Sequence, residues 1–387
     1  MPQKTTPAAS APAPQQVTQP RVPSARKTAL LDIGFAISIA ITVAALVVFC
    51  IYFSWDFDKE STLTHVLGIL YIVLLAADAT GCMTMVVFDF ETHMKQARVV
   101  ARATMVALLA TAVVGLMIKG VDLVNLVFLF QFVCLIAFQT ATDASIARNR
   151  TFTAPWHVSS DPTRTDYIPL NFFNLFWVFL IASVLGLIVE EVYFALVFDA
   201  CPDRAGLLWG PFSPIYGFGA VLMTVALNRY WNRNIFLIFG VSGLIGAAFE
   251  FAVSWFMETA FGIIAWDYSG TFLNIQGRTN FAFFCAWGFL GLMWVKIFLP
   301  SVLRLVDAIP IRWRIALTSI FAVFMIADGL MTLITVDCWY QREAGQAPQT
   351  TIEQFCANHF DDDFMAQRFQ SMDMNPSRAQ RVEDPRP

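Results

Sequence analysis

Acidic side chains inside apolar stretches are the residues of this sequence best placed to do chemistry. Glu190, Glu191, Glu250 and Glu258 all lie within runs that are otherwise hydrophobic. An ionised carboxylate at the centre of a membrane helix costs about 2.5–3.5 kcal/mol, so such groups normally face a bundle interior or a hydrated cavity. The sequence therefore predicts that these carboxylates face a shared hydrated cavity, and Glu191, Glu250 and Glu258 are candidates for lining a substrate path.

Two irregular segments are expected to approach these carboxylates. Residues 210–219 hold two prolines and three glycines, which disfavour a regular helix start. Residues 261–278 form a polar loop that contains Arg278. We expect Glu191, Glu250 and Arg278 to come together. The predicted substrate-binding residues are Glu191, Tyr216, Glu250, Glu258, Asp267, Tyr268, Asn274 and Arg278. The alternative is an ion-pair network that only pins the helices together.

Two further pairs of residues leave alternatives open. Asp78 and Asp328 lie near the middle of apolar runs. We favour a structural role, in which each is protonated and hydrogen-bonded. The alternative is that they belong to a proton or cation path. Cys338 and Cys356 lie in the C-terminal tail, either bridged in an oxidising compartment or as free thiols.

The elements that must position these residues are membrane-spanning helices. Of the 387 residues, 57% are hydrophobic and only 14% are charged, which excludes an ordinary soluble domain. The apolar runs have the roughly 20-residue length that crosses a bilayer. We predict an all-α polytopic transmembrane bundle of about nine spans. The predicted spans are 29–53, 64–88, 103–118, 121–140, 171–198, 212–227, 235–256, 281–299 and 315–336.

Lys and Arg residues set the predicted orientation. With the N-terminus inside, cytoplasmic stretches hold sixteen of them and the short outer loops four. An odd number of spans then places the C-terminus outside. The predicted organisation is a disordered cytoplasmic tail (1–28), a four-helix region (29–140), a cytoplasmic linker (141–168), a five-helix domain (169–336) and an exoplasmic acidic tail (337–387) with little to pack.

Other function classes lack support in the sequence. The chain has no basic domain for nucleic acid, no Cys or His pattern for a metal, and no motif for a cofactor. It also lacks the G-x-x-x-x-G-K-[ST] loop of an ATPase. Membrane lipids are the expected surroundings.

A series of motifs resembles a known family of bacterial membrane proteins. The motifs are Gly186 to Glu191, 206–211, 214–220, Phe249-Glu250 with Ser254 and Glu258, 266–269, Asn274, Gly277-Arg278 and Trp287-Gly288. Between about residues 176 and 300 the chain is similar to the family named putative ABC-transporter type IV, or ABC transporter permease. The family usually has an Arg-Gly pair where Ala205 separates Arg204 from Gly206 here. The resemblance implies a multi-pass protein of the bacterial plasma membrane and a separate ATPase subunit as partner.

Three functions remain open from the sequence. The first is a membrane permease or transport-associated subunit with an outward-facing polar cavity, and it is the one we favour. The second is a membrane-embedded enzyme acting on a lipid or cell-envelope precursor, with a carboxylate as general base and Arg278 holding an anionic group. The third is a membrane scaffold or interaction protein.

Overall fold

The computed structural model describes residues 25–55, 62–87, 93–142, 167–168, 170–199 and 203–381. Its helices are α1 (Ala25–Trp55), α2 (Thr62–Val87), α3 (Met94–Lys119), α4 (Leu123–Ala141), α5 (Phe172–Phe198), α6 (Pro214–Leu227), α7 (Ile235–Phe261), α8 (Phe281–Met293), α9 (Leu299–Ala308), α10 (Ile311–Glu343), α11 (Thr351–His359) and α12 (Asp362–Arg368). A π-helical stretch, Trp294–Phe298, joins α8 to α9, and Pro376–Arg378 form a 3-10 turn. Ile263–Ile264 (β1) and Asp373–Met374 (β2) pair antiparallel.

The predicted all-α bundle is confirmed. Among the described residues, seven helical segments are long and apolar enough to cross a membrane, and two apolar helices, 127–141 and 214–227, are shorter. The count of nine spans and the orientation remain predictions. The predicted third span, 103–118, was too short, because the helix begins at Met94 and extends over 26 residues. Its first turns carry Lys95, Arg98 and Arg102, which lower the hydropathy without ending the helix.

Glycines determine which helices pack closely. A side chain at Gly186 of α5 would meet the Tyr216 ring of α6 at 2.2 Å. A side chain at Gly246 of α7 would meet the Trp287 side chain of α8, also at 2.2 Å. Small residues at such positions let two membrane helices approach closely. These contacts orient the faces of α5 and α7 that carry Glu190 and Glu250.

The segment 203–213, which precedes α6, is irregular. The irregular segment ends before residue 219, where it was predicted to end, because α6 already begins at Pro214. Proline is tolerated in the first turn of a helix, where its missing N–H would have no partner in the helix. Leu208 N–H donates to Thr332 Oγ1 at 2.8 Å, and Trp209 N–H donates to Asp328 Oδ1 at 3.1 Å. Non-helical backbone at membrane depth needs such partners. The hydrogen-bonded structural role favoured for Asp328 is consistent with this contact.

The C-terminal segment is folded, which differs from the predicted tail with little to pack. Helix α10 continues beyond residue 336 to Glu343, and Met365 and Phe369 are buried. Arg368 donates to the carbonyls of Leu207 and Gly210 at 2.7 to 2.9 Å. The spacing of Met365 and Phe369 gives the segment an apolar face, which its overall acidity hid in the sequence.

Arg381 and Asp337 bring the two helical regions together at one end of the bundle. Arg381 Nη1 lies 2.7 Å from the Asp337 carboxylate, and Arg381 Nε donates to the Ala260 carbonyl at 2.6 Å. Val121 N–H, between α3 and α4, donates to Asp337 at 3.3 Å. The ends of α3, α7 and α10 therefore meet, which is consistent with helices that alternate in direction.

Candidate functional site

Glu250 is the central buried acid of the second helical region. It lies on the face of α7 that also carries Gly243, Gly246 and Ser254, at spacings of three to four residues. Its side chain is 4% exposed. The carboxylate accepts hydrogen bonds from the Tyr268 hydroxyl at 3.0 Å and the Thr279 hydroxyl at 2.9 Å. Trp287 also donates to it.

The loop between α7 and α8 brings Tyr268 and Thr279 to Glu250. Helix α7 ends at Gly262, whose φ of 65° suits glycine, and the chain then turns back towards the helix. The indole N–H of Trp266 donates to the Arg278 carbonyl at 2.9 Å, which closes the loop. The Tyr268 ring stacks on Phe283 with the ring centroids 4.4 Å apart. Burial, followed by the neighbouring Glu250, raises the pKa of Tyr268, so its hydroxyl remains a donor.

Arg278, in the loop after α7, forms an ion pair with α7 at a point further along the helix than Glu250. Its guanidinium pairs with Glu258, and Nη1 donates to Ser254 Oγ at 3.2 Å. The Arg278 Nε is buried and has no hydrogen-bond partner among the described residues. Arg278 and Glu250 thus belong to one network, joined through Thr279, which follows Arg278 in the chain and donates to Glu250.

A second ion pair forms on the α5 side. Arg204 donates to Glu190 Oε1 through Nε at 2.7 Å, and its guanidinium lies 4.6 Å from the centre of the Phe194 ring. The Tyr216 hydroxyl donates to the same carboxylate. Glu190, Arg204 and Tyr216 therefore occupy the α5–α6 edge of the site, with Tyr216 close enough to Tyr268 and Glu250 to interact electrostatically with them.

The remaining predicted site residues lie elsewhere. Glu191 of α5 is exposed, and its approach to Glu250 and Arg278 stays a prediction. Asp267 and Asn274 are exposed and organise the loop itself: Asp267 accepts from Ser269 N–H at 2.8 Å, and Asn274 accepts from Gly277 N–H at 3.1 Å. Hydrogen bonds from the Ser269 side chain and backbone lower the pKa of Asp267.

Several members of the network were absent from the predicted site residues, and some of them had a signal in the sequence. Glu190 lies four residues after Gly186 and seven after Ser183, which places it on the face of α5 that contacts α6. Glu191 is rotated by about 100° from that face. The roles of Arg204 and Thr279 depend on the path of the loops, for which helical spacing gives no signal.

The network has one carboxylate without a matching cation. Glu190 is paired with Arg204, and Glu258 with Arg278. Among the described residues, Glu250 contacts only neutral donors. No group of three or more His, Cys, Asp or Glu in the described part of the chain is arranged to hold a metal ion.

A match to a known family covers the helices that carry this network. Residues 177–333 match the family described as putative ABC-transporter type IV, which confirms the resemblance predicted from the motifs and extends it into α10. This range contains every member of the network. No curated protein and no solved structure matches the chain. The match and the apolar helices together support a transport-associated membrane protein.

Proposed function

We propose that this chain is a transport-associated membrane protein that binds a cationic group of its substrate at Glu250. The network of Glu190, Glu250, Glu258, Arg204 and Arg278 supplies the polar part of the substrate path. In the described conformation the network is closed by its own hydrogen bonds. Opening of the loop 262–280 would expose Glu250, and this step would create the outward-facing cavity that the sequence predicts.

The observation that carries this proposal is the unmatched carboxylate of Glu250. A carboxylate that is 4% exposed and bonded only to neutral groups lacks a counter-charge. Removing a charge from water is costly unless it is paired, so the site gains most from a ligand that brings a positive charge. Both neighbouring arginines already have carboxylate partners, which makes an anionic ligand the poorer match.

The aromatic residues around Glu250 favour an organic cation. Tyr268 and Trp287 contact the carboxylate directly, and Phe283 stacks on Tyr268. Aromatic faces attract ammonium groups, with about 0.5–2 kcal/mol gained for each contact. We therefore propose a substrate with a quaternary or protonated amine. A separate ATPase subunit, which the family match suggests, would supply the energy.

A binding experiment with a matched control tests the proposal. Choline serves as the quaternary ammonium probe and acetate as the anionic probe, titrated calorimetrically into protein reconstituted in lipid nanodiscs. We expect Glu250→Gln to weaken choline binding by about tenfold or more. Glu191→Gln, which changes the same residue type on an exposed face, should bind choline as the wild type does. Size-exclusion chromatography reports whether each variant stays folded.

The outcomes separate the three functions. Equal choline binding by Glu250→Gln and the wild type would contradict the proposal. Acetate binding that is lost in Arg278→Gln would favour an anion-binding enzyme instead. A scaffold predicts no binding of either probe, together with loss of folding in Glu250→Gln. Copurification of an ATPase from the native membrane tests the partner separately.

A further inference from the structure

Two cysteine side chains lie next to each other where the C-terminal segment folds back on the bundle. Cys338 is in the last two turns of α10, and Cys356 is in α11. They are 5% and 0% exposed, respectively. The two side chains interact with each other. Two buried cysteines on adjoining helices can form a disulfide where their Cα atoms lie within about 7 Å of each other.

The surrounding structure holds α11 in this position. Thr350 and Glu353 form a reciprocal capping box at the start of α11. Arg342 of α10 donates to the carboxylate of Asp362 at 2.7 Å and to the carbonyl of Phe360 at 3.0 Å. These contacts lie on both sides of Cys356 along the chain. The approach of the two sulfurs therefore belongs to a folded unit.

We propose that Cys338 and Cys356 are joined by a structural disulfide in the mature protein, formed on the exoplasmic side of the membrane. The positive-inside distribution of Lys and Arg places this segment outside. Disulfides form and persist in that oxidising environment. The proposal is independent of the substrate site, since neither cysteine belongs to the network around Glu250.

The oxidant is the disulfide of an exported thiol–disulfide oxidoreductase. Cys356 first loses its proton to solvent, because the thiolate is the form of cysteine that acts as a nucleophile. This thiolate attacks the oxidoreductase disulfide, and a mixed disulfide forms with release of one enzyme thiolate. Cys338 then loses its proton and attacks the Cys356 sulfur, which releases the second enzyme thiolate. Two protons and two electrons thus pass to the oxidoreductase before α11 is buried.

The disulfide would stabilise a segment that supports the irregular backbone near the site. Helix α12 follows α11 directly and carries Arg368, which donates to the carbonyls of Leu207 and Gly210. A covalent link between α10 and α11 restricts the unfolded chain and limits the separation of α11 from the bundle. Reduction should therefore loosen the segment 203–213 as well as the C-terminal segment.

Differential alkylation of the full-length protein tests the disulfide. The protein is purified from membranes under a thiol-blocking maleimide, denatured in SDS, and labelled with a second maleimide before or after reduction. Peptide mass spectrometry then reports each cysteine. We expect Cys338 and Cys356 to be labelled only after reduction and to appear as one linked peptide pair. Cys338 and Cys356 are free thiols in the structure, as is Cys285 of α8, which serves as the internal standard for a thiol that stays unbridged.

Matched variants complete the test. In Cys338→Ser, Cys356 should become reactive without reduction, and the converse holds for Cys356→Ser. Reductant should lower the melting temperature of the wild type but leave that of the double variant unchanged. Labelling of both thiols in SDS without reductant, or a link from either one to Cys201, would overturn the proposal.

Discussion

Asp78 in the first helical region and Glu250 in the second are both buried acids held by hydrogen bonds, and the two are held differently. Asp78 of α2 is completely buried, and the Gln131 amide of α4 donates to both of its oxygens at 2.7 Å. Glu250 of α7 is almost as buried, but two of its donors, Tyr268 and Thr279, come from a loop. The first acid is thus enclosed by helices alone, whereas the second depends on a segment between helices.

The comparison shows which kind of buried acid is suited to binding. Freeing Asp78 requires α2 and α4 to separate, because the described partners of its carboxylate lie on α4 and α1. Movement of the loop 262–280 alone would free Glu250 from Tyr268 and Thr279 and would leave Trp287 of α8 as its remaining donor. Loops have fewer packing constraints than helices and open at a lower free-energy cost. We therefore predict a structural role for the carboxylate of Asp78 in the first region and a binding role for the carboxylate of Glu250 in the second.

The largest expected effect comes from removing the partner of Asp78. Gln131→Leu leaves a buried carboxyl without its amide donor, which should lower the free energy of unfolding by up to about 3 kcal/mol. Denaturant unfolding in detergent measures this change. Choline binding to the folded protein should stay unchanged. The double variant Asp78→Leu with Gln131→Leu should recover much of the stability, because neither the carboxyl nor the amide is then left buried without its partner.

The second effect concerns the backbone that borders the Glu250 network. Arg368→Ala removes the donors to Leu207 and Gly210 and the pairing with Asp203, at a cost of about 2 kcal/mol. Amide hydrogen exchange of residues 206–210 should become faster. Arg378→Ala is the control, since Arg378 pairs with the largely exposed side chain of Asp373 and should contribute little. Equal exchange in both variants would contradict a supporting role for Arg368.

The sequence predicted the helices and part of the site because long apolar runs and their glycines carry strong signals. Glu250, Glu258, Tyr268 and Arg278 were assigned correctly to one neighbourhood by helix direction and loop position. Glu190 could have been chosen over Glu191 from its spacing to Gly186. Helical spacing identifies a face, so this part of the network was predictable.

Other features depend on contacts between distant segments and have no local pattern. Arg368 reaches the carbonyls of Leu207 and Gly210 from more than 150 positions further along the chain. The pairing of Ile263 with Met374 links similarly distant residues. Such contacts form only after the helices have packed. The folded C-terminal segment was therefore not predictable from its acidic composition.

A smaller effect tests the close packing that positions Trp287 beside Glu250. Gly246→Ala places a methyl group against the Trp287 side chain, and the cost of overpacking exceeds the gain in helix propensity by about 1 kcal/mol. Gly240→Ala on the same helix meets nothing within 4 Å and should be neutral or stabilising. Thermal unfolding and choline titration of both variants measure the difference. Weaker choline binding in Gly246→Ala but not in Gly240→Ala would support a binding role for Glu250, in contrast to the structural role of Asp78.

The smallest effect is a pH dependence of the loop that carries Tyr268. Hydrogen bonds from Ser269 hold the pKa of Asp267 below its ordinary value of about 3.9. The stabilisation is therefore complete above that value and is lost as the pH falls through the lowered pKa. The protection of the amides of residues 267–277, measured against the intrinsic exchange rate at each pH, should be unchanged from neutral pH to about pH 5 and should weaken only in stronger acid. Asp267→Asn should remove this dependence, because an amide does not titrate. If the variant also lost protection in stronger acid, a different group would control the loop.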